Sequence, residues 1–354
     1  MKAGVFHGAG DVRVEEVADP GAPPPRGAVL RIVRSSVCGS DLWSYRGPSD
    51  WQAGWRTGHE MTGIVEQVGD EVTSVAEGDL VVSAFFWSCG DCAYCRAGLH
   101  TSCTTGAFPG GANHGGGQAE RVMVPHADGS LWKVPDGTPE ERFDQVHLLT
   151  DVLLTGYHAA KLAGVGEPGL GGDPVTTAVV VGDGAVGLSG VVGAKLLGAT
   201  TIVLVGHHAD RLEIAASLGA THTTDLRGRD LARHLREVTD GGAEAVLECV
   251  GVTSALRDAA GAVAPGGRIG SVGVPAGVED ANWMRILFGK NASLHPGIAP
   301  TSAYVEEVGP LVASGELDVS AIASDTFALA DLPAAYEAMD QRTVVKAILR
   351  TDEV

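Results

Sequence analysis

The hydrophobic rhythm of the chain changes near residue 151. Before that point apolar positions come in short alternating runs. Residues 1–17, MKAGVFHGAGDVRVEEV, alternate as a strand does, and Ala28–Ser36 (AVLRIVRSS), Gly78–Trp87 (GDLVVSAFFW) and Gly115–Pro125 (GGGQAERVMVP) read as further strands. Asp19–Gly27 (DPGAPPPRG) reads as a turn. His59 and Glu60 stand just ahead of another alternating strand, within TGHEMTGIVEQV at 57–68.

After residue 151 the pattern becomes strand, helix, strand. Asp151–Ala163 has helical spacing, and Gly164–Pro174 is a loop rich in glycine and proline. TTAVVVGDGAVGLSGVVGAKLLGA then reads as strand, glycine turn and helix. TIVLVG and AEAVLECVG are strands, each followed by a helix (ADRLEIAASLGA and SALRDAAGAVA), and GGRIGSVGV is a strand. Alternation of this length predicts right-handed βαβ units and a parallel sheet. Residues 295–354 mix short helices with a last strand, Val344–Arg350, and break the alternation. They are assigned back to the first domain. The expected fold class is α/β: a β-rich domain from 1–150 and 295–354, and a doubly wound parallel-sheet domain from 151–294.

Composition narrows the function. A chain of 354 residues is too long for one ordinary core. Its net charge of −19 argues against nucleic acid and anionic membranes, and any phosphate-bearing cofactor must be held by local groups. Apolar runs such as Ala178–Val181 and Thr201–Val205 are too short to span a bilayer, and the N-terminal stretch has no hydrophobic signal region. A cytoplasmic protein with a small-molecule substrate is expected.

Gly182-Asp183-Gly184-Ala185-Val186-Gly187 is a G-x-G-x-x-G motif between a strand and a helix. The first glycine allows a tight turn, the second lets the backbone approach a pyrophosphate, and the third lets helix and strand pack closely. The helix N-terminus offers free N–H groups to the phosphates. Versions that bind NAD carry an acid about 20 residues on, bonded to the ribose 2′-hydroxyl. Here Gly206 stands at that place, leaving room for a 2′-phosphate, with His207, His208 and Arg211 beside it. NADP is therefore expected over NAD.

Cys89, Cys92, Cys95 and Cys103 form a C-x2-C-x2-C-x7-C pattern. Four thiolates so close in sequence suit one tetrahedral structural zinc, with no position left open for a substrate. A catalytic zinc needs about three protein ligands and one open position. Cys38, His59, Glu60 and Asp151 are candidates, but spacing alone does not join them.

Together these stretches resemble the zinc-dependent alcohol dehydrogenases of the medium-chain dehydrogenase/reductase superfamily. C-G-S-D at Cys38–Asp41, G-H-E at Gly58–Glu60, the cysteine lobe at 89–103, G-G-Q-A-E at Gly116–Glu120, D-x-x-x-T-G-Y at Asp151–Tyr157 and the glycine motif follow the family's order over nearly the full length. The resemblance implies a GroES-like catalytic domain and a Rossmann cofactor domain. It implies that Cys38, His59 and Asp151 bind the catalytic zinc, giving two zinc ions per chain with the lobe. Glu60 resembles the acidic neighbour that binds the metal directly when water or substrate is absent. Ser40 matches the residue that takes the substrate proton and passes it toward the cofactor ribose. Many members carry a histidine where this chain has Trp43, which cannot exchange protons, leaving water, Tyr45 or another histidine for the proton's exit.

The resemblance further implies that Thr155 lies near the nicotinamide. Cys249, Val250, Val272, Gly273 and Val274 lie at strand ends where cofactor contacts are expected. Lys346 could reach the pyrophosphate. Trp43, Phe85 and Phe86 suggest a large apolar pocket, suited to a hydrophobic alcohol, aldehyde or ketone. The alternatives are a polyol, threonine or formaldehyde-type dehydrogenase of the same fold. From another class, they are a zinc-free quinone reductase or a non-catalytic NADPH-binding relative. Family habit suggests a homodimer or homotetramer.

Overall fold

The computed structural model describes residues 1–47, 51–111 and 115–351. The chain forms two compact units, Met1–Asp151 with Pro300–Val354, and Val152–Ala299.

The first unit begins with an antiparallel hairpin of β1 (Lys2–Gly8) and β2 (Asp11–Glu16). Its main sheet contains β3 (Ala28–Ser36), β4 (Met61–Val68), β5 (Leu80–Ser83), β6 (Arg121–Val124) and β7 (Leu131–Lys133). β3 is central and buried almost throughout, because β4 and β6 both pair with it. Alternate residues Ala28, Leu30 and Ile32 enter a core with Met61, Val65, Val81, Trp87, Val122 and Val124. Truncating a side chain such as Leu30 there would cost about 2–5 kcal/mol.

The second unit holds β8 (Thr177–Val181), β9 (Thr201–Val205), β10 (His222–Thr224), β11 (Ala243–Glu248), β12 (Val263–Ser271) and β13 (Ser293–Pro296). Among the described residues they form one parallel sheet in the order β10-β9-β8-β11-β12-β13. Counted from β8, this is the 3-2-1-4-5-6 order of a doubly wound dinucleotide fold, whose strand order reverses between β8 and β11. Val179, Val181, Val203, Val205, Val246 and Ile269 fill its core, so these strands show unbroken apolar runs.

Two strands of this sheet lie outside the apolar pattern. β10 is three polar-edged residues, HTT, and β13, SLHP, is a mostly exposed edge. Neither needs a hydrophobic run, because neither is covered on both faces. The parallel pairing of β13 with β12 carries the second unit on to Ala299.

The C-terminal segment completes the first unit's sheet. β14 (Asp325–Ala328) pairs in parallel with β15 (Ala347–Arg350), which runs antiparallel to β3 with Ile348 opposite Ser36. The helix Leu332–Asp340 packs Leu332, Ala335 and Tyr336 against Phe6, Val12, Val37 and Leu42. Among the described residues, no helix is long and apolar enough to cross a membrane.

Candidate metal centres and dinucleotide site

The β3–β4 pairing sets Ser35 opposite Met61, so the segment leaving β3 meets the segment entering β4. That places Cys38 beside His59 and Glu60. Asp151 joins them from the turn after Leu148–Thr150. Cys38 Sγ and His59 Nε2 each lie 3.5 Å from the same Asp151 oxygen, Oδ2. Cys38, His59, Glu60 and Asp151 each offer a ligand atom within 4.8 Å of the others. Bonds of ~2.0–2.3 Å to a tetrahedral zinc require ligand separations of roughly 3.3–3.8 Å, which this spacing fits.

Asp41 orients the cluster from behind. Its Oδ2 accepts the Cys38 N–H at 3.0 Å, and its Oδ1 lies 3.4 Å from His59 Nδ1. A carboxylate at Nδ1 leaves Nε2, turned toward Asp151, as the nitrogen that could ligate a metal. Burial, then the charges of Glu60 and Asp151, push the Cys38 thiol upward, so a cation is what would stabilise its thiolate. For His59, burial favours the neutral ring, but Asp41, Cys38 and Asp151 together raise it well above its ordinary value.

Glu60 is only 1% exposed. Its Oε2 takes the Lys346 ammonium and the Ser36 hydroxyl, whereas its buried Oε1 has no hydrogen-bond partner among the described residues. An unsatisfied buried carboxylate oxygen next to a thiol, an imidazole and a second carboxylate is what a metal ligand looks like before the metal is considered. Lys346 thus has a different partner from the pyrophosphate expected of it. Its side chain, just ahead of β15, is only 1% exposed, and a buried ammonium needs a carboxylate such as Glu60.

Ser40 is half-buried at the start of the helix Asp41–Arg46, and its hydroxyl makes no capping bond to that helix. Trp43 is half-buried on the same helix, and Tyr45 packs on Tyr336 with ring centroids 5.2 Å apart. The buried Phe85 meets the His59 ring edge-on at 6.2 Å. Phe86 lies one step further out, and Phe108 packs against both phenylalanines, 6.0 Å from Phe85 and 4.9 Å from Phe86.

The four lobe cysteines are free thiols gathered within 4.8 Å of one another. Sulfur separations are 3.9 Å for Cys89–Cys95, 3.5 Å for Cys92–Cys95 and 3.4 Å for Cys89–Cys103. A tetrahedral zinc with bonds of ~2.3 Å spaces its sulfurs by roughly 3.8 Å. Backbone N–H groups of Cys95 and Thr104 bring Cys92 down to about 6, while burial and then Cys92 push Cys95 up to about 12. Cys103 is lowered as well and Cys89 raised, so the lobe by itself does not favour all four thiolates together; that needs a cation.

In the second unit the glycine motif follows β8. Gly182 has φ +115°, a region that favours glycine, and a Cβ on Gly187 would collide with the Gly182 carbonyl. Among the described residues, a Cβ on Gly184 would meet nothing within 4 Å. That opening lies at the N-terminus of the helix Ala185–Leu196, which gives a phosphate both space and free N–H groups. Thr155 is buried on the helix Val152–Leu162. Cys249 and Val250 follow β11, and Val272, Gly273 and Val274 follow β12. These two turns touch so closely that a Cβ on Gly273 would strike the Gly251 nitrogen.

The end of β9 differs from expectation. Asp183 Oδ2 accepts the N–H groups of His207 at 2.6 Å and His208 at 2.9 Å, and the His208 ring lies 2.9 Å away. A Cβ on Gly206 would fall 2.6 Å from the Asp183 Cβ. The room left by Gly206 is therefore taken up in part by a carboxylate from the glycine motif itself. His207 is exposed, and Arg211 is buried.

Residues 24–136 match the alcohol dehydrogenase GroES-like domain, and residues 185–314 match the zinc-binding dehydrogenase domain. The whole chain is 34% identical to zinc-type alcohol dehydrogenase B of Aspergillus flavus and covers 82% of that protein. The chain belongs to the zinc-dependent alcohol dehydrogenases.

A probable zinc-binding alcohol dehydrogenase of Mycobacterium tuberculosis is also 34% identical, over 95% of this chain and 84% of its own. Among solved structures, an alcohol dehydrogenase from Thermus sp. ATN1 superposes with a TM-score of 0.87 at 33% identity, covering 99% of each chain. A zinc-dependent alcohol dehydrogenase from Streptococcus pneumonia gives the same TM-score, 0.87, at 28% identity, over 100% of this chain and 99% of its own. This alcohol dehydrogenase is thus an oxidoreductase of the medium-chain superfamily that takes zinc, a nicotinamide cofactor and a small-molecule substrate.

Parts of its site went unread in sequence. Asp41 was visible only as a letter of C-G-S-D, with no sign that it touches both Cys38 and His59. Phe108 sits in no motif, and its only sequence signal is a large apolar residue five positions after Cys103. Ser36 and His147 gave no signal, since a strand-end serine and a lone histidine are ordinary until a fold joins them.

Proposed function

We propose that this enzyme interconverts a hydrophobic alcohol and its aldehyde or ketone, with NADP favoured over NAD. The observation that carries this is the Cys38–His59–Glu60–Asp151 cluster with Phe85 edge-on to His59 at 6.2 Å. Those four residues would hold the catalytic zinc, and Cys89, Cys92, Cys95 and Cys103 a second, structural one. Bound zinc supplies Lewis acidity that lowers the pKa of a substrate hydroxyl, and the nicotinamide supplies or accepts the hydride.

The chain's own residues do the rest. Phe85, Phe86 and Phe108 give the substrate an apolar wall. Ser40, free of capping duty, takes the hydroxyl proton at its Oγ and hands its own onward. Trp43 cannot continue that relay, so the proton leaves to solvent. Three features support NADP. β9 is followed by Gly206 and not by an acid, His207 is exposed beside it, and the Asp183 charge is met by two N–H groups and His208. Homodimeric or homotetrameric assembly through the exposed β13 edge fits the adjoining Phe288, which is 88% exposed. Sedimentation at the monomer mass of 36.3 kDa would refute that assembly.

Metal analysis and a substrate panel test the reading. It requires about two zinc ions per chain, faster turnover of benzyl or medium-chain alcohols than of sorbitol, threonine or formaldehyde, and a higher kcat/KM with NADP. About one zinc ion per chain, or preference for the polar substrates, would sink it.

A further inference from the structure

Behind the catalytic cluster runs a buried line of polar side chains that no motif announces. Thr62 at the start of β4, His147 at the end of the helix Phe143–His147, Ser36 at the end of β3, and Glu60 are all fully or almost fully buried. Ser36 Oγ–H donates to Glu60 Oε2. The hydroxyl has one proton, so at its other contact, His147 Nε2 at 2.8 Å, Ser36 Oγ is the acceptor and Nε2 carries the hydrogen. His147 Nδ1 is then bare and accepts from Thr62 Oγ1 at 3.0 Å. Every hydrogen bond in the line thus points the same way and ends on one carboxylate oxygen. Burial, with the positive charges of Lys346 and Arg34, keeps His147 neutral, the state this pattern needs.

The two middle members of the line are anchored through their backbone carbonyls. Gln118 Nε2 donates to the Ser36 carbonyl at 2.9 Å, fixing the end of β3. Thr150 Oγ1 donates to the His147 carbonyl at 2.8 Å, one residue before Asp151. A histidine with no place in the ligand set therefore touches the supports of two ligands, Glu60 and Asp151.

We propose that His147, acting through Ser36, is a positioning residue for Glu60. The Thr62–His147–Ser36 line, together with Lys346, binds Oε2 on the far side. It leaves Oε1, the buried oxygen without a hydrogen-bond partner among the described residues, as the one presented to the metal. A carboxylate held by one oxygen cannot rotate to offer the other or turn both toward the metal, so its donor atom and angle are set before metal binds. This rests on the reading that the cluster binds zinc, and it adds which residues set the Glu60 donor.

The test uses the full-length enzyme and three variants: His147→Leu, which removes both ring nitrogens; His147→Gln, whose amide can donate to Ser36 and accept from Thr62; and Ser36→Ala. Chelator competition for zinc, and the visible spectrum after replacing zinc with cobalt(II), report metal affinity and ligand geometry, with the four-cysteine site as reference. His147→Leu and Ser36→Ala should weaken the catalytic site about 10–100-fold and shift the cobalt bands, the range for losing a group that supports a ligand. His147→Gln should stay within a few-fold of wild type. Wild-type affinity and spectrum in both damaging variants would overturn the proposal, as would a Gln variant as weak as Leu. If His147→Leu does not fold, Ser36→Ala decides alone. If wild type takes up no metal at this cluster, the zinc reading itself fails and this inference with it. Metal bound by wild type and unaffected in the variants removes only this inference.

Discussion

Asp183 Oδ2 lies 2.9 Å from the Nδ1 of His208, binding the second residue of the glycine motif to the turn that ends β9. The same oxygen accepts the His207 and His208 N–H groups, so one carboxylate shapes the loop where the adenosine end of a dinucleotide is expected. Gly206 is a glycine here partly because a side chain would meet Asp183.

Asp183→Asn should therefore loosen this turn. The variant should raise KM severalfold for NADP and NAD alike, whereas His207→Ala should raise it for NADP alone. Burial by itself would raise the Asp183 pKa, but the His207 and His208 N–H groups and the His208 ring reverse this and lower it. A lowered carboxylate pKa stabilises the fold above the unfolded value of about 3.9, and that stabilisation is lost as pH falls through the folded value. Wild type and Asp183→Asn should converge in stability below about pH 4, as followed by denaturant unfolding. A gap that widens there would be wrong for this sign.

Ser40→Ala should cut kcat about 10²–10⁴-fold, the range for losing a positioned proton-transfer group. Zinc content should be unchanged, since Ser40 is outside both thiol and carboxylate clusters. Steady-state kinetics beside metal analysis checks both halves, and an unchanged kcat would remove Ser40 from the mechanism.

Cys92→Ser should lose the lobe metal, lowering the zinc content from about two per chain to about one. Thermal stability or assembly should fall before turnover does, because the lobe contributes none of Cys38, His59, Glu60 or Asp151. Thermal unfolding and sedimentation beside activity would show it. Full stability and unchanged assembly would count against a structural role.

His147 makes stability pH-dependent in the acid direction. Burial, reinforced by Lys346 and Arg34, holds its folded pKa well below that of a free imidazole. The unfolded chain therefore binds a proton that the folded chain refuses once pH falls below about 6.5. His158, lowered to about 4 by burial, acts in the same direction. Wild-type stability should drop below about pH 6.5 by up to ~1.4 kcal/mol per pH unit for each such histidine, and His147→Gln should remove one share of that slope. Equal slopes in the two proteins would contradict it.

Local physics explains how far the sequence could be read. The second unit was legible because each strand is flanked by its own turn and helix, and a sheet buried on both faces leaves continuous runs such as Ala178–Val181. β10 and β13 were not, because edge strands need no such runs. The cysteine lobe was legible because its four cysteines fall within fifteen residues. The Cys38–His59–Glu60–Asp151 cluster was legible only through the order of the motifs, since Cys38 and Asp151 are 113 residues apart and nothing local joins them.

By itself, then, the sequence determined the two-part architecture, the glycine motif and the cysteine lobe, all signals carried by neighbours in the chain. Only the tertiary structure decided that Lys346 belongs to Glu60, that Asp183 occupies the space beside Gly206, and that His147 and Ser36 stand behind Glu60. Those are pairings across sheets and turns. Burial makes each polar group find a partner, but it is the register of β15 on β3, of β3 on β4 and of β8 on β9 that chooses which one.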